Sequence, residues 1–296
     1  MAVRTGRARK VGLLALGFGG LVIATEAACS LTIDTDGLAG GDDDGRVEVE
    51  QRDDGGDALD SGLEVDASPG EDAADAAEAC PGDAGPASVR VDGFCIDSTE
   101  VTNADYARFL EASVGVAGQP AVCAWNLDYV PTGSWPPSGG ALDRPVVNVD
   151  WCDARAYCAW AGKRLCGAVS GGATPPGALA DSARDQWYRA CSGRGVTLLP
   201  YGNEYEPGRC NVGSSGVTIE RVKNRAECVG GVPGLYDMVG NVNEWVDSCS
   251  GEVGADDGCY VRESFYASDG TVTCATVGSR IRSSTHGARG FRCCAP

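Results

Sequence analysis

Apolar and polar residues divide this chain into three regimes. The first is an apolar run from Val11 to Ala24, preceded by Arg4, Arg7, Arg9 and Lys10 and followed by small residues. That run is shorter than the roughly 20 apolar residues a spanning helix needs. The order basic, apolar, small is that of an export signal over residues 1–29. Residues 30–79 have no apolar period and no aromatic residue, and they are rich in Asp, Gly and Ala. Such a segment cannot bury enough apolar surface to offset its ordering entropy, which predicts a disordered acidic linker. The third regime, residues 80–296, is patterned for a folded domain. Val89-Arg90-Val91 leading to Phe94-Cys95-Ile96 predicts a first strand. Thr102 is placed as an N-cap with Asp105 as its capping-box partner, opening a helix whose apolar face is Tyr106, Phe109 and Leu110. Residues 146–149 read as a short strand. Asp150, with Asp153 three residues on, caps a second helix carrying Trp151, Ala154, Cys158 and Ala161 at helical spacing, ended by Gly162. A third helix is predicted over 182–192, around Trp187, Ala190 and Cys191. Beyond it the chain is Gly-rich, with short strands expected near 260–266, 279–283 and 291–293.

The charge of −18 belongs mostly to the linker. Residues 30–79 carry 17 Asp and Glu against Arg46 and Arg52, a net of −15, whereas residues 80–296 carry −6. Nucleic-acid binding needs clustered cations and is disfavoured. Asp42-Asp43-Asp44 reads as a solvated charge run. Cys29 after Ala27-Ala28 matches a lipoprotein signal in which that cysteine is acylated; ordinary cleavage near Thr25-Glu26-Ala27 is the alternative. With Cys29 set aside, 14 of the 15 cysteines remain. An even, dense set in an exported chain reads as a disulfide framework. A zinc protein is a poor alternative, because His286 is the one histidine and no Cys-x-x-Cys pair occurs.

The densest chemistry lies in Gly234-Leu235-Tyr236-Asp237-Met238-Val239-Gly240-Asn241-Val242-Asn243-Glu244-Trp245. This composition fits neither an amphipathic helix nor an alternating strand, and it predicts a tight loop of oxygen ligands entering a buried Trp. With it, several blocks in order resemble the formylglycine-generating enzyme family, also called sulfatase-modifying factors. They are Gly93-Phe94-Cys95-Ile96-Asp97 with Glu100-Val101-Thr102-Asn103, then Pro145-Val146-Val147-Asn148-Val149-Asp150-Trp151, Lys163-Arg164-Leu165, Gln186-Trp187-Tyr188-Arg189-Ala190, Leu199-Pro200-Tyr201-Gly202 and Gly290-Phe291-Arg292-Cys293. The resemblance spans about 200 residues and implies a C-type-lectin-like α+β fold with little regular structure. It also implies calcium. One site would use the Asp237 and Glu244 side chains with the Gly240 and Val242 carbonyls, mixed oxygens of the kind calcium takes. A second would begin at Asn211-Val212. The simpler reading of Asp237 and Glu244 is that they cap backbone groups.

Catalysis in that family, which oxidises a sulfatase cysteine to formylglycine, uses copper held by two cysteines shortly after an Arg-Gly-Gly-Ser motif. Soft thiolates suit Cu(I). Here the motif stretch is Arg262-Glu263-Ser264-Phe265. The copper positions fall on Ser268 and Thr273, or in the other register on Ala267 and Val272. Cys274 is the remaining weak catalytic candidate, and pairing of Cys274 with Cys293 or Cys294 is expected. The chain also departs after Leu165, where Cys166-Gly167 opens a small-residue insertion running to about Asp181. His286 sits in Ser284-Thr285-His286-Gly287, which reads as a surface turn. Three functions follow as expectations: a lipid-anchored, periplasmic or extracellular module that binds a protein or glycan at the cell envelope; a copper oxidase with displaced ligands; and a saccharide binder by fold analogy alone.

Overall fold

The computed structural model describes residues 80–296 except 83, 134, 138, 140 and 214–216. The chain separates into two units, Met1–Gly70 and Glu71–Pro296. The expected signal over 1–29, the linker over 30–79 and the lipidation site Cys29 lie outside the described residues.

The architecture is α+β with little helix. The first strand expected from the sequence is a hairpin, β1 (Ser88–Val91) and β2 (Phe94–Asp97), turning at Asp92-Gly93, where Asp92 adopts φ +53°. Both predicted capping boxes form, on α1 (Asn103–Glu111) and α2 (Trp151–Trp160). The third helix, α3 (Gln186–Cys191), is shorter than predicted, because Asp185 is its N-cap and accepts from the Tyr188 amide. β3 (Arg164–Leu165) follows α2, β4 (Val229–Gly230) pairs with β5 (Val232–Tyr236), and β6 (Asn243–Cys249) continues the ligand-rich block. The chain ends in β7 (Gly258–Arg262), β8 (Val277–Ile281), β9 (Arg289–Phe291) and β10 (Cys293–Ala295). The strands form two four-stranded sheets, β1-β2-β10-β3 and β8-β7-β6-β9, and the β4-β5 hairpin.

One expected strand is absent. Residues 146–149 join no sheet: Asn148 is left-handed at φ +62°, and the Val146 and Asn148 amides go to the Val101 and His286 carbonyls.

Strand alternation divides the interior into two clusters. On β6, Trp245 enters the aromatic cluster of Tyr106, Phe109, Tyr157 and Phe291, whereas Val246 enters the cluster of Phe94, Trp187, Leu235 and Met238. On β10, Cys293 and Cys294 point to opposite faces in the same way. Cys293 therefore bonds Cys158 of α2, and Cys294 bonds Cys166 beyond β3. Five further bridges join Cys80–Cys95, Cys123–Cys152, Cys191–Cys274, Cys210–Cys228 and Cys249–Cys259. The expected pairing of Cys274 with Cys293 or Cys294 is thereby corrected. Among the described residues no helix is long and apolar enough to cross a membrane.

Candidate functional site

The 234–245 block is a loop that becomes strand β6. Asp237, Gly240 and Asn241 all have positive φ, at +55°, +95° and +58°. Gly240 is required twice over: a Cβ there would also lie 2.6 Å from the Asn211 carbonyl oxygen. The loop is held by the Asn241 amide on that carbonyl (2.9 Å) and by the Gly240 amide on the Ser264 hydroxyl (2.8 Å). These contacts bring Asn211, Gly240 and Asn241 into one corner.

Glu244 is almost wholly buried and gripped on both oxygens. Arg292 donates to it through Nε (3.0 and 2.9 Å) and Nη2 (2.8 Å), and Trp187 Nε1 donates at 2.7 Å. Arg292 also reaches the carbonyls of Asp97 (3.1 Å) and Tyr236 (3.0 Å). Two further buried carboxylates share this region. Asp237 accepts the Lys223 amide at 2.7 Å, and burial pushes its carboxyl up to about 6. Glu100 accepts from Asn241 Nδ2 at 3.0 Å, but its other oxygen is buried without a partner. Burial, reinforced by the charge of Asp237, holds the Glu100 carboxyl well above its ordinary range. Three carboxylates thus face the guanidinium of Arg292, while Arg262 also acts on Glu244 and Arg225 on Asp237.

Among the described residues, no three His, Cys, Asp or Glu side chains are arranged to hold a metal ion. The first expected calcium set asks for only two, Asp237 and Glu244, completed by the Gly240 and Val242 carbonyls. Glu100 adds a third buried carboxylate with an oxygen that lacks a donor, whereas both Glu244 oxygens are already engaged by Arg292 and Trp187. At the second position the atoms are already engaged. The Asn211 carbonyl takes the Asn241 amide, the Val212 carbonyl takes the Tyr205 hydroxyl at 3.2 Å, and Asn211 Oδ1 faces Arg225.

The copper region is built differently. The Ser268 hydroxyl accepts the Phe265 amide (3.0 Å), the Thr273 hydroxyl lies 3.3 Å from the Ala275 amide, and Ala267 and Val272 carry no ligating atom. Cys274 is buried and bridged to Cys191. Arg262, the anchor of that motif, faces away from any such chemistry. It pairs with buried Asp185, donates to the Leu179 carbonyl (2.9 Å) and stacks 4.7 Å over Trp187. Asp185 also accepts from the Thr174 hydroxyl at 2.9 Å. Arg262 thus fastens the end of the insertion, at Leu179, and Asp185 just beyond it to the core. His286 Nδ1 accepts the Ala288 amide at 3.1 Å, and burial lowers its pKa. Every cysteine near it is in a bridge.

A groove runs beside the Asn211 corner. Cavities of about 350 and 200 Å3 share Ala141, Arg144, Thr218 and Ile219; Glu220 and Asn224 line the first, and Trp135 and Asn148 the second. The Thr218 carbonyl accepts Asn211 Nδ2 at 2.9 Å, tying groove and corner together. Sequence reasoning did not single out Glu100, Arg225 or Arg292 as site residues. An arginine inside the apolar run Gly290-Phe291-Arg292-Cys293-Cys294-Ala295 is a readable signal, since a buried guanidinium needs a buried carboxylate.

The sequence profile of the sulfatase-modifying factor enzyme 1-like domain matches residues 65–295. Inactive C-alpha-formylglycine-generating enzyme 2 of Bos taurus is 36% identical over 117 residues, covering 36% of this chain and 34% of its own length. Its Mus musculus namesake is 29% identical over 214 residues, covering 58% and 64%. The formylglycine-generating enzyme of Mus musculus is 29% identical over 208 residues, covering 55% and 51%. Each match spans less than two thirds of the relative's length. Among solved structures, CarF aligns over 69% of this chain and 86% of its own, at 20% identity and a TM-score of 0.47.

Proposed function

The chain belongs to the sulfatase-modifying factor enzyme 1-like family, and from that premise we propose that it is a non-catalytic member: an exported, lipid-anchored, calcium-braced binding or structural module at the cell envelope. One observation carries this reading. Every described cysteine is in a disulfide, and Ser268 and Thr273, or Ala267 and Val272, stand where the family's copper thiols belong. An oxidase with displaced ligands would need Cys274 reduced together with Cys293 or Cys294, and these three sit in three separate bridges.

Seven bridges suit an oxidising compartment, which supports export. The apolar run ahead of Cys29 supports a lipid anchor. In calcium binding, Asp237 and Glu244 with the Gly240 and Val242 carbonyls would hold the ion, and the clustering of buried oxygens at this corner, with one Glu100 oxygen lacking a donor, supports it. Calcium would there neutralise buried charge and brace the loop. The groove beside Arg144 and Thr218 offers the binding surface, for a protein or glycan partner. The test is incubation of the purified, copper-supplied protein with a Cys-x-Pro-x-Arg sulfatase peptide, read by mass spectrometry. The peptide should keep its thiol; loss of that thiol to an aldehyde would overturn the reading.

A further inference from the structure

We propose that the guanidinium of Arg225 is the resident cation of the 208–228 corner, occupying by its own fork the role a divalent ion would have at Asn211. Its Nη1 donates to the carbonyls of Gly208 and Cys210, at 3.0 Å each. Its Nη2 reaches Asn211 Oδ1 at 3.4 Å and Glu220 Oε1 at 2.8 Å. Its Nε donates to Glu220 Oε2 at 3.0 Å. Backbone and amide oxygens on one side and a carboxylate on the other make up the kind of donor set that calcium collects. Here a planar cation collects it, one that neither diffuses away nor loses its proton.

Charge separates this corner from the one at Glu244. Arg225 and Glu220 cancel, so nothing in the pair recruits a divalent ion; Arg225 also holds the Glu220 carboxyl below its usual range. At Glu244 three buried carboxylates face Arg292, one of them without a donor on one oxygen. The pair is sheltered, with side chains 16% and 21% exposed. Asn224 adds a further donor to Glu220, Nδ2 to Oε2 at 2.9 Å.

The arrangement has a structural consequence. The Cys210–Cys228 bridge closes a loop that contains Arg225, and Arg225 ties the late part of that loop back to its beginning. Thr218, Ile219, Glu220 and Asn224 from the same loop wall the groove. That wall keeps its shape when calcium is withdrawn.

Hydrogen exchange of the whole mature protein, with calcium or a chelator, tests this. Peptides over 208–228 are compared with peptides over 236–245, so that ion loss at the Glu244 site is read separately. Exchange over 208–228 should not respond to the chelator beyond any change at 236–245. Arg225→Ala should raise it by at least about tenfold, since several hydrogen bonds to a charged group are lost, and calcium should not restore it. A chelator effect specific to 208–228 in the wild type, or wild-type protection in Arg225→Ala, overturns the assignment. If Arg225→Ala does not fold, Arg225→Lys decides: its point charge cannot span both sides, so protection should fall by about tenfold, and wild-type protection overturns the assignment.

Discussion

Replacing Arg292 with Met probes the balance on which the corner rests. The substitution keeps most of the volume and removes the positive charge that faces all three of Glu100, Asp237 and Glu244. Breaking a buried ion pair by removing one partner costs about 3–5 kcal/mol, because the remaining charge stays buried. Arg292 also donates to the Asp97 and Tyr236 carbonyls. Their loss adds about 1 kcal/mol or more, so a total of about 4–6 kcal/mol is expected at pH 7.5. For a domain of this size each kcal/mol moves Tm by about 2–4 °C, which puts the shift at roughly 8–24 °C. The pH dependence is the sharper signature. The folded-state pKa of Asp237 is raised to about 6 by burial, above its ordinary value of 3.8, and that of Glu100 is raised further. A raised carboxyl favours the folded state below its unfolded pKa, and that contribution disappears as pH climbs through the folded value. At pH 5 Asp237 is therefore largely protonated, and the part of the cost of Arg292→Met that comes from its charge should shrink. Thermal unfolding by circular dichroism at pH 7.5 and pH 5, in chelator, reads both quantities. A loss below about 1 kcal/mol at pH 7.5, or one that does not shrink at pH 5, would refute the reasoning.

Calcium should stabilise the protein more at pH 7.5 than at pH 5, because protonated Asp237 no longer offers negative charge; titration with calcium followed by Tm checks this, and equal shifts at both pH values count against the Glu244 site. Arg262→Met should leave Asp185 buried without its cation and loosen the 166–185 segment. Limited proteolysis should then cut within that segment first, and an unchanged cleavage pattern would contradict the anchoring role.

The parts of this fold that sequence made legible are those fixed by neighbouring residues. Thr102 with Asp105 and Asp150 with Asp153 are capping boxes three residues wide, so they read without tertiary knowledge. The 146–149 stretch misled because its Val146 and Asn148 amides go to the Val101 and His286 carbonyls rather than to a ladder, with Asn148 left-handed between its valines. β6 was hidden for the opposite reason. Its Asn243, Glu244 and Ser248 are buried polar residues, and Glu244 is satisfied by Arg292 and Trp187, which lie 48 and 57 positions away. The cysteine count announced a framework, but its connectivity depends on strand facing, as Cys293 and Cys294 illustrate. Site residues were legible where one loop holds them, as with Asp237 and Gly240. Glu100 and Arg225 escaped because their importance lies in what they oppose across the fold.

The central claim is that this chain keeps the family's fold without its thiol chemistry, and a disulfide map of the mature protein under non-reducing conditions tests it most directly. The account predicts a cross-linked peptide joining Cys191 to Cys274, with Cys158–Cys293 and Cys166–Cys294 alongside and no free thiol among residues 80–296. Recovery of Cys274 as a free thiol together with Cys293 or Cys294 would contradict it.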